Sequence, residues 1–167
     1  MRLCGIDPMD HGALAIMDTC DGNRMEITDM PVVKTRGNRF EVDVPALWDH
    51  IMKSRIDKVY IEKMQAMAKG GNANFKRGGY LYMFRAIFAA ARIPFVEVPP
   101  KEWQKKYGIK GIKDNPDATK EQSYLIASRL FPLQEFKTER GRTLDGRSDA
   151  ALITEYGRAM ELGNGSR

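Results

Sequence analysis

Histidine, cysteine and tryptophan occur only twice each in this 167-residue chain. The histidines (His11, His50) and cysteines (Cys4, Cys20) are scattered, which excludes the usual zinc cages. Any metal is then left to carboxylate ligands, the donor set of Mg²⁺ or Mn²⁺. Both cysteines fall in apolar, strand-like stretches and read as buried thiols of a reducing cytoplasm, a disulfide between them being the other option. No apolar run nears the roughly 18 residues of a membrane-spanning helix, and no signal-peptide pattern opens the chain. A membrane role is therefore not expected. The glycine-rich "KMQAMAKGGNANFKRGG" lacks the GK[ST] ending of a P-loop, so no nucleotide cofactor is expected either. Acidic residues are missing from Lys63 to Val96, a span that holds Lys63, Lys69, Lys76, Arg77, Arg85 and Arg92.

What remains is the composition of a soluble globular protein, 43% hydrophobic and 29% charged. The length suits a single domain over residues 1–167, with 163–167 a disordered tail. Net charge is +5 and the isoelectric point about 9.2. A second basic stretch carries Lys101, Lys105, Lys106, Lys110, Lys113 and Lys120 against Glu102, Asp114 and Asp117. Such clusters are the electrostatic footprint of phosphate-backbone binding, though a solvated surface has the same composition.

Strands are expected over residues 2–7, 13–19 and 24–30. The polar "VVKTRGNRF" that follows reads as a mobile loop or sheet edge. Val44, Leu47, Trp48 and Ile51 have helical spacing within 44–54. "DKVYIEK" is a short apolar strand of the kind buried in mid-sheet. Residues 74–92 form a helix rich in alanine and aromatics, and "IPFVEV" is another strand. "PPKEWQKKYG" opens with prolines suited to a helix's first turn. Thr119 followed by Gln122 has capping-box spacing and opens a helix to Leu130. A last helix covers 148–161. Three antiparallel strands followed by alternating helices and strands describe an α/β fold, a mixed sheet flanked by helices.

Three acids fall where elements end or begin: Asp7 closes the first strand in "CGIDP", Glu62 closes the fourth in "VYIEK", and Asp149 lies in the first turn of the last helix. Each adjoins residues that the core would bury. Buried carboxylates are costly unless a cation compensates them, and three together would raise one another's pKa values. Divalent ions bound between them would remove that repulsion and serve phosphoryl chemistry. Each acid has a plainer reading as well: Asp7 as turn former, Glu62 as exposed strand-end charge, Asp149 as a helix-start acid, Asp145 as N-cap or loop. Asp10 and His11 read as turn residues.

"GIDP…G" on the first strand, "IE" on a middle strand and "D…SDAALI" opening the last helix resemble the RuvC family of Holliday junction resolvases, a branch of the ribonuclease H-like superfamily. The order of elements agrees over nearly the whole chain, and the size is that of stand-alone and phage-encoded members. The resemblance implies a ribonuclease H-like mixed sheet and a metal-dependent endonuclease of DNA recombination and repair, acting in a bacterial cytoplasm or phage-infected host. Four-way or other branched DNA would be its partner, and two Mg²⁺ or Mn²⁺ ions its cofactors. It makes Asp7, Glu62 and Asp149 metal ligands, with Asp145 assisting. The family places a further acid or histidine three residues before the last aspartate; here that position is Gly146, and Asp145 lies one residue earlier. Met9 replaces the family's glycine in "DPG", while Gly12 remains.

The resemblance also implies phosphate-neutralising lysines, matched here by Lys105 or Lys106 and by Lys120. DNA contacts would come from Lys63, Met67, Lys69, Lys76, Arg77, Lys105, Lys106, Lys110 and Lys113. The loop after Glu62 would enter the junction, with Met64, Met67 or Phe75 as a wedge between bases. Family members dimerise through the helix at 75–92, whose Tyr80, Leu81, Phe84, Ile87 and Phe88 read either as a dimer face or as core. Two other functions fit the same residues: a catalytically silent branched-DNA-binding protein, and a ribonuclease H-like nuclease with another substrate.

Overall fold

The computed structural model describes residues 1–37, 39–65 and 71–164. β1 (Arg2–Asp7), β2 (Ala13–Asp18) and β3 (Asp21–Asp29) form an antiparallel meander. β6 (Lys58–Glu62) and β7 (Phe95–Val98) add in parallel on the free edge of β1, giving the order β3-β2-β1-β6-β7. The α/β mixed sheet is thus the one the sequence pattern implies. Residues 32–42 are not loop, however. They make a separate hairpin of β4 (Val32–Thr35) and β5 (Arg39–Val42), in which valine and phenylalanine supply strand propensity amid polar neighbours.

Five helices cover the main sheet among the described residues: α1 (Val44–Lys53), α2 (Gly71–Ala91), α3 (Pro100–Lys106), α4 (Ala118–Leu130) and α5 (Asp145–Asn164). Strand alternation sorts them into two layers. Cys4 and Ile6 of β1 point with Val59 and Ile61 of β6 into a core shared with α1 and α2. Leu3 and Tyr60 point the opposite way, into a core shared with α3, α4 and α5. Tyr80, Phe84, Ile87 and Phe88 of α2 are all buried in the first core, so these four serve packing and not a dimer face. None of the helices among the described residues is long and apolar enough to cross a membrane.

α5 lies on β1 at a separation that only glycine permits. A Cβ on Gly5 would collide with Thr154 Oγ1 and its backbone nitrogen, and would stand 2.6 Å from the Ala150 carbonyl. Thr154 is fully buried; its Oγ1 accepts from the Gly5 N–H at 3.0 Å and lies within donating range of the Ala15 and Ala150 carbonyls, at 2.9 and 2.8 Å. One threonine therefore ties the helix to two strands.

Three local expectations are corrected. Cys20 is exposed in the β2–β3 turn, and only Cys4 is a buried thiol; both are free. α4 starts at Ala118 with Asp117 as its N-cap, so Gln122 lies past capping range. Its amide instead clasps the preceding loop, donating to Lys110 O at 2.8 Å and accepting from Lys110 N at 3.1 Å. α5 starts at Asp145 and not at 148, which puts Asp149 in its second turn. Packing on the β1–β2 turn extends that helix through residues whose propensity favours a loop.

Because the α5–β1 contact has no room for a methyl group, Gly5→Ala is expected to cost about 3 kcal/mol or more of stability. Urea denaturation measures it, and a loss below about 0.5 kcal/mol contradicts the close-packing account.

Candidate active site

The sheet register brings the first two acids together. β1 and β6 run parallel with Ile6 opposite Ile61, so Asp7 and Glu62 end neighbouring strands side by side, about 5 Å apart along the sheet. Alternation from Leu3 and Tyr60 sends both side chains to the face that α5 covers. α5 brings Asp145 and Asp149 over the same end. Four residues apart in a helix, these two share one face, so Asp145 is well placed despite its irregular spacing in the sequence.

The group is electrostatically strained. Burial, then the charges of Asp149 and Glu62, hold the Asp7 carboxyl well above the usual carboxylate range; a hydrogen bond from the Met9 N–H acts the other way. Burial also raises Glu62, opposed by the Trp103 indole N–H, which donates to its Oε2 at 3.0 Å. Asp149 is raised to about 7 by burial and by Glu62 and Asp145, against a hydrogen bond from Ser123 and the charge of Lys120. Its Oδ1 is buried with no hydrogen-bond partner.

That orphaned oxygen, with three carboxyls raised together, is the donor set of a hard divalent cation. The residues present therefore fit the expected Mg²⁺ or Mn²⁺. Among the described residues no three acid, histidine or cysteine side chains are drawn into a ready-made cage. Like charges on separate elements repel and spread.

Lys120 joins the acids from α4, its amine 3.2 Å from Asp145 Oδ2 and 3.6 Å from Asp117 Oδ1. Gly146 is explained by space. A Cβ there would collide with the His11 carbonyl and lie 2.6 Å from Gly12 Cα, so no acid fits at that position. Met9 is partly buried against the α1–α2 core, and its carbonyl accepts from the Gly12 N–H at 2.8 Å, closing the turn after Asp7.

The other expected DNA contacts lie apart from the acids or on their border. Lys63 follows Glu62 and is exposed, as are Lys105, Lys110 and Lys113. Lys106 stands over the Tyr156 ring, 5.5 Å from its centroid, and Tyr156 is about 10 Å along α5 from Asp149. Arg77 is half-buried on α2. Lys76 is already engaged, donating to Asp10 Oδ2 at 2.7 Å and Phe40 O at 3.3 Å. Asp10 is thus more than a turn residue. Met67 and Lys69 lie outside the described residues. Sequence reasoning missed Trp103, whose indole N–H grips Glu62, and the buried Ser123, which eases the ionisation of Asp149. A buried tryptophan in a lysine-rich helix is the signal that was available for the first.

The sign of the Asp149 shift sets a pH dependence. A carboxyl raised from 3.8 to about 7 binds its proton more tightly when folded, so stability falls as pH rises between those values and is flat above. With chelator present, Asp149→Asn is expected to be more stable than wild type at pH 8, by about 2 kcal/mol after allowance for partial exposure. The advantage shrinks towards pH 5. Thermal melts at both pH values measure it, and equal stability at pH 8 contradicts the strain.

A scan of protein-family models and a search of curated proteins give no match. Solved structures do match. T. thermophilus RuvC in complex with a Holliday junction substrate superposes with a TM-score of 0.66 at 16% identity, over 98% of this chain and 97% of that one. The fowlpox virus Holliday junction resolvase gives 0.60 at 15% identity, over 96% and 99%. Its complex with substrate Holliday junction DNA gives 0.57 at 15% identity, over 97% and 99%. The chain has the ribonuclease H-like fold of the RuvC-type Holliday junction resolvases.

Proposed function

We propose that this chain is a single-domain crossover junction endodeoxyribonuclease, which resolves Holliday junctions and related branched DNA by divalent-metal-dependent hydrolysis. The observation that carries the reading is the convergence of Asp7, Glu62, Asp149 and Asp145 at one end of the sheet, with the buried Asp149 Oδ1 left without a partner. The solved structures that share the fold nearly end to end are Holliday junction resolvases, two of them bound to junction DNA, and they supply the substrate class.

Asp7, Glu62 and Asp149 would hold Mg²⁺ or Mn²⁺, two ions per site, with Asp145 assisting. Bound ions supply a more acidic water and charge stabilisation on the departing oxygen. The chain's own residues do the rest. Carboxylates carried on the rigid elements β1, β6 and α5 would need only side-chain adjustment to close on a cation. Trp103 aims Glu62, and Ser123 eases the ionisation of Asp149. Lys120, half exposed beside Asp145, offers an amine to a phosphate oxygen. In the reaction the water oxygen bonds to phosphorus as the bond to the 3′ oxygen breaks. The 3′ oxygen gains a proton, leaving a 5′-phosphate and a 3′-hydroxyl.

Symmetric cutting of a four-way junction needs two sites, and a homodimer through α2 would supply them. Tyr82, 67% exposed, remains on its outer face for that purpose. Net positive charge supports the DNA partner, with Lys63, Lys105, Lys110 and Lys113 on the surface.

A cleavage assay with a mobile four-way junction, linear duplex and RNA–DNA hybrid tests the reading in Mg²⁺ or Mn²⁺. Wild type is expected to cut the junction at symmetric positions and spare the others. Equal cleavage of hybrid favours another nuclease specificity, and no metal-dependent nicking of any branch favours a silent binding protein. Asp7→Asn is expected to abolish cutting while junction binding, read by gel shift, is kept. Trp103→Phe, which removes only the indole donor, is expected to slow cleavage about 10- to 100-fold with the fold intact. An unchanged rate would deny Trp103 its positioning role.

A further inference from the structure

The loop between α3 and α4 carries an apolar tip that the proposed chemistry does not use. Ile109, at its start, is buried in the core, while Ile112, three residues on, is 58% exposed. A lone surface isoleucine means little by itself. This one is distinguished by how it is held, by the charge around it and by what lies beside it.

The Asn115 N–H donates to Ile112 O at 3.1 Å and closes a tight turn, with Asp114 in the left-handed region at φ 67°. Behind the turn, the Gln122 amide grips both backbone groups of Lys110. On the far side, Asn115 O accepts from the Ala118 N–H at 3.3 Å, and its Oδ1 from the Asp117 N–H at 3.1 Å. The tip is therefore fixed to the start of α4. That helix also carries Lys120, whose amine lies 3.2 Å from Asp145 Oδ2. Gln122 is only about 3 Å farther along the helix axis, so Ile112 is presented to solvent close to the acids.

The surrounding charge is of one sign. Residues 103–113 hold Lys105, Lys106, Lys110 and Lys113 and no acid, and Asp114 is the first to follow. No ion pair among the described residues engages any of these lysines. Lys110 and Lys113 bracket Ile112 in the chain, and both are exposed.

We propose that Ile112 enters the minor groove of the duplex arm beside the cleaved phosphate, an inference that rests on the branched-DNA reading. Lys110 and Lys113 meet the phosphates that border the groove, and the apolar side chain packs on the sugars of its walls. Uncompensated positive charge on both sides of the tip suits a polyanion. The minor groove, roughly 6 Å wide, admits the tip of a turn but no helix. Apolar side chains flanked by cationic ones are a recognised means of gripping it. An anionic membrane would satisfy the same charges, but the tip's fixed place beside the acids favours the strand they cut.

Fluorescence anisotropy in chelator, where no strand is cut, tests this on four-way junctions. Ile112→Ala is expected to weaken binding about tenfold with the salt dependence unchanged, because no phosphate contact is lost. Ile112→Leu, which keeps the apolar bulk, binds within about twofold of wild type. Lys110→Gln instead flattens the slope of log affinity against log salt by about one. Guanine's amino group obstructs the minor groove, so wild type binds arms carrying inosine in its place more tightly, and Ile112→Ala loses that preference. Ile112→Ala binding as tightly as wild type overturns the tip assignment while the resolvase reading stands. The assignment also falls if both proteins prefer inosine equally. It falls again if Ile112→Ala loses binding to phosphatidylserine vesicles while junction binding is kept. A wild type that binds no junction overturns both readings.

Discussion

The contact between α5 and β1 is the constraint on which the rest of the structure depends. Gly5 has no side chain, so the helix backbone can lie against the strand, and Thr154 bridges the two by accepting from the Gly5 N–H. Gly146 repeats the device at the other end, where the helix start meets the β1–β2 turn. A helix pinned at both places has little freedom to rotate or slide. Asp149 and Asp145 are thereby held over the strand ends that carry Asp7 and Glu62. An ordinary helix-on-sheet separation of roughly 10 Å would leave them farther from the strand acids.

What the scaffold assembles, it assembles at a cost. Burial and mutual repulsion raise Asp7, Glu62 and Asp149 together, so ionising them at neutral pH opposes folding. Each is given a little relief, from the Met9 N–H, the Trp103 indole and the Ser123 hydroxyl, but Asp149 Oδ1 receives none. A site built for stability alone would have replaced these acids with neutral side chains. Strain concentrated at one polar end of an otherwise apolar sheet is the usual trade of stability for function.

Much of this was legible in the chain itself. Asp7 and Glu62 stand where apolar strand patterns stop, and such residues are positioned by the strand whatever else packs around it. The mixed sheet followed from three strands in succession and then alternation with helices. The helix start at Asp145 was hidden because aspartate and glycine favour loops, and only packing against the β1–β2 turn overrides that preference. Trp103 and Ser123 were hidden for a different reason. Their importance lies in where α3 and α4 land, which depends on contacts distant in sequence. The hairpin escaped because its strands are short and polar, and Asp10 because its partner Lys76 is far along the chain.

The central claim is that the four carboxylates form a divalent-cation site. Calorimetric titration of the DNA-free protein with Mn²⁺ near pH 6.5 tests it directly, in two buffers of different ionisation enthalpy. The account predicts saturable binding accompanied by proton release, because cation binding ionises carboxyls held partly protonated by their surroundings. Both signals should vanish in Asp7→Asn. No saturable binding to the folded wild type, or binding that survives Asp7→Asn unchanged, would contradict it.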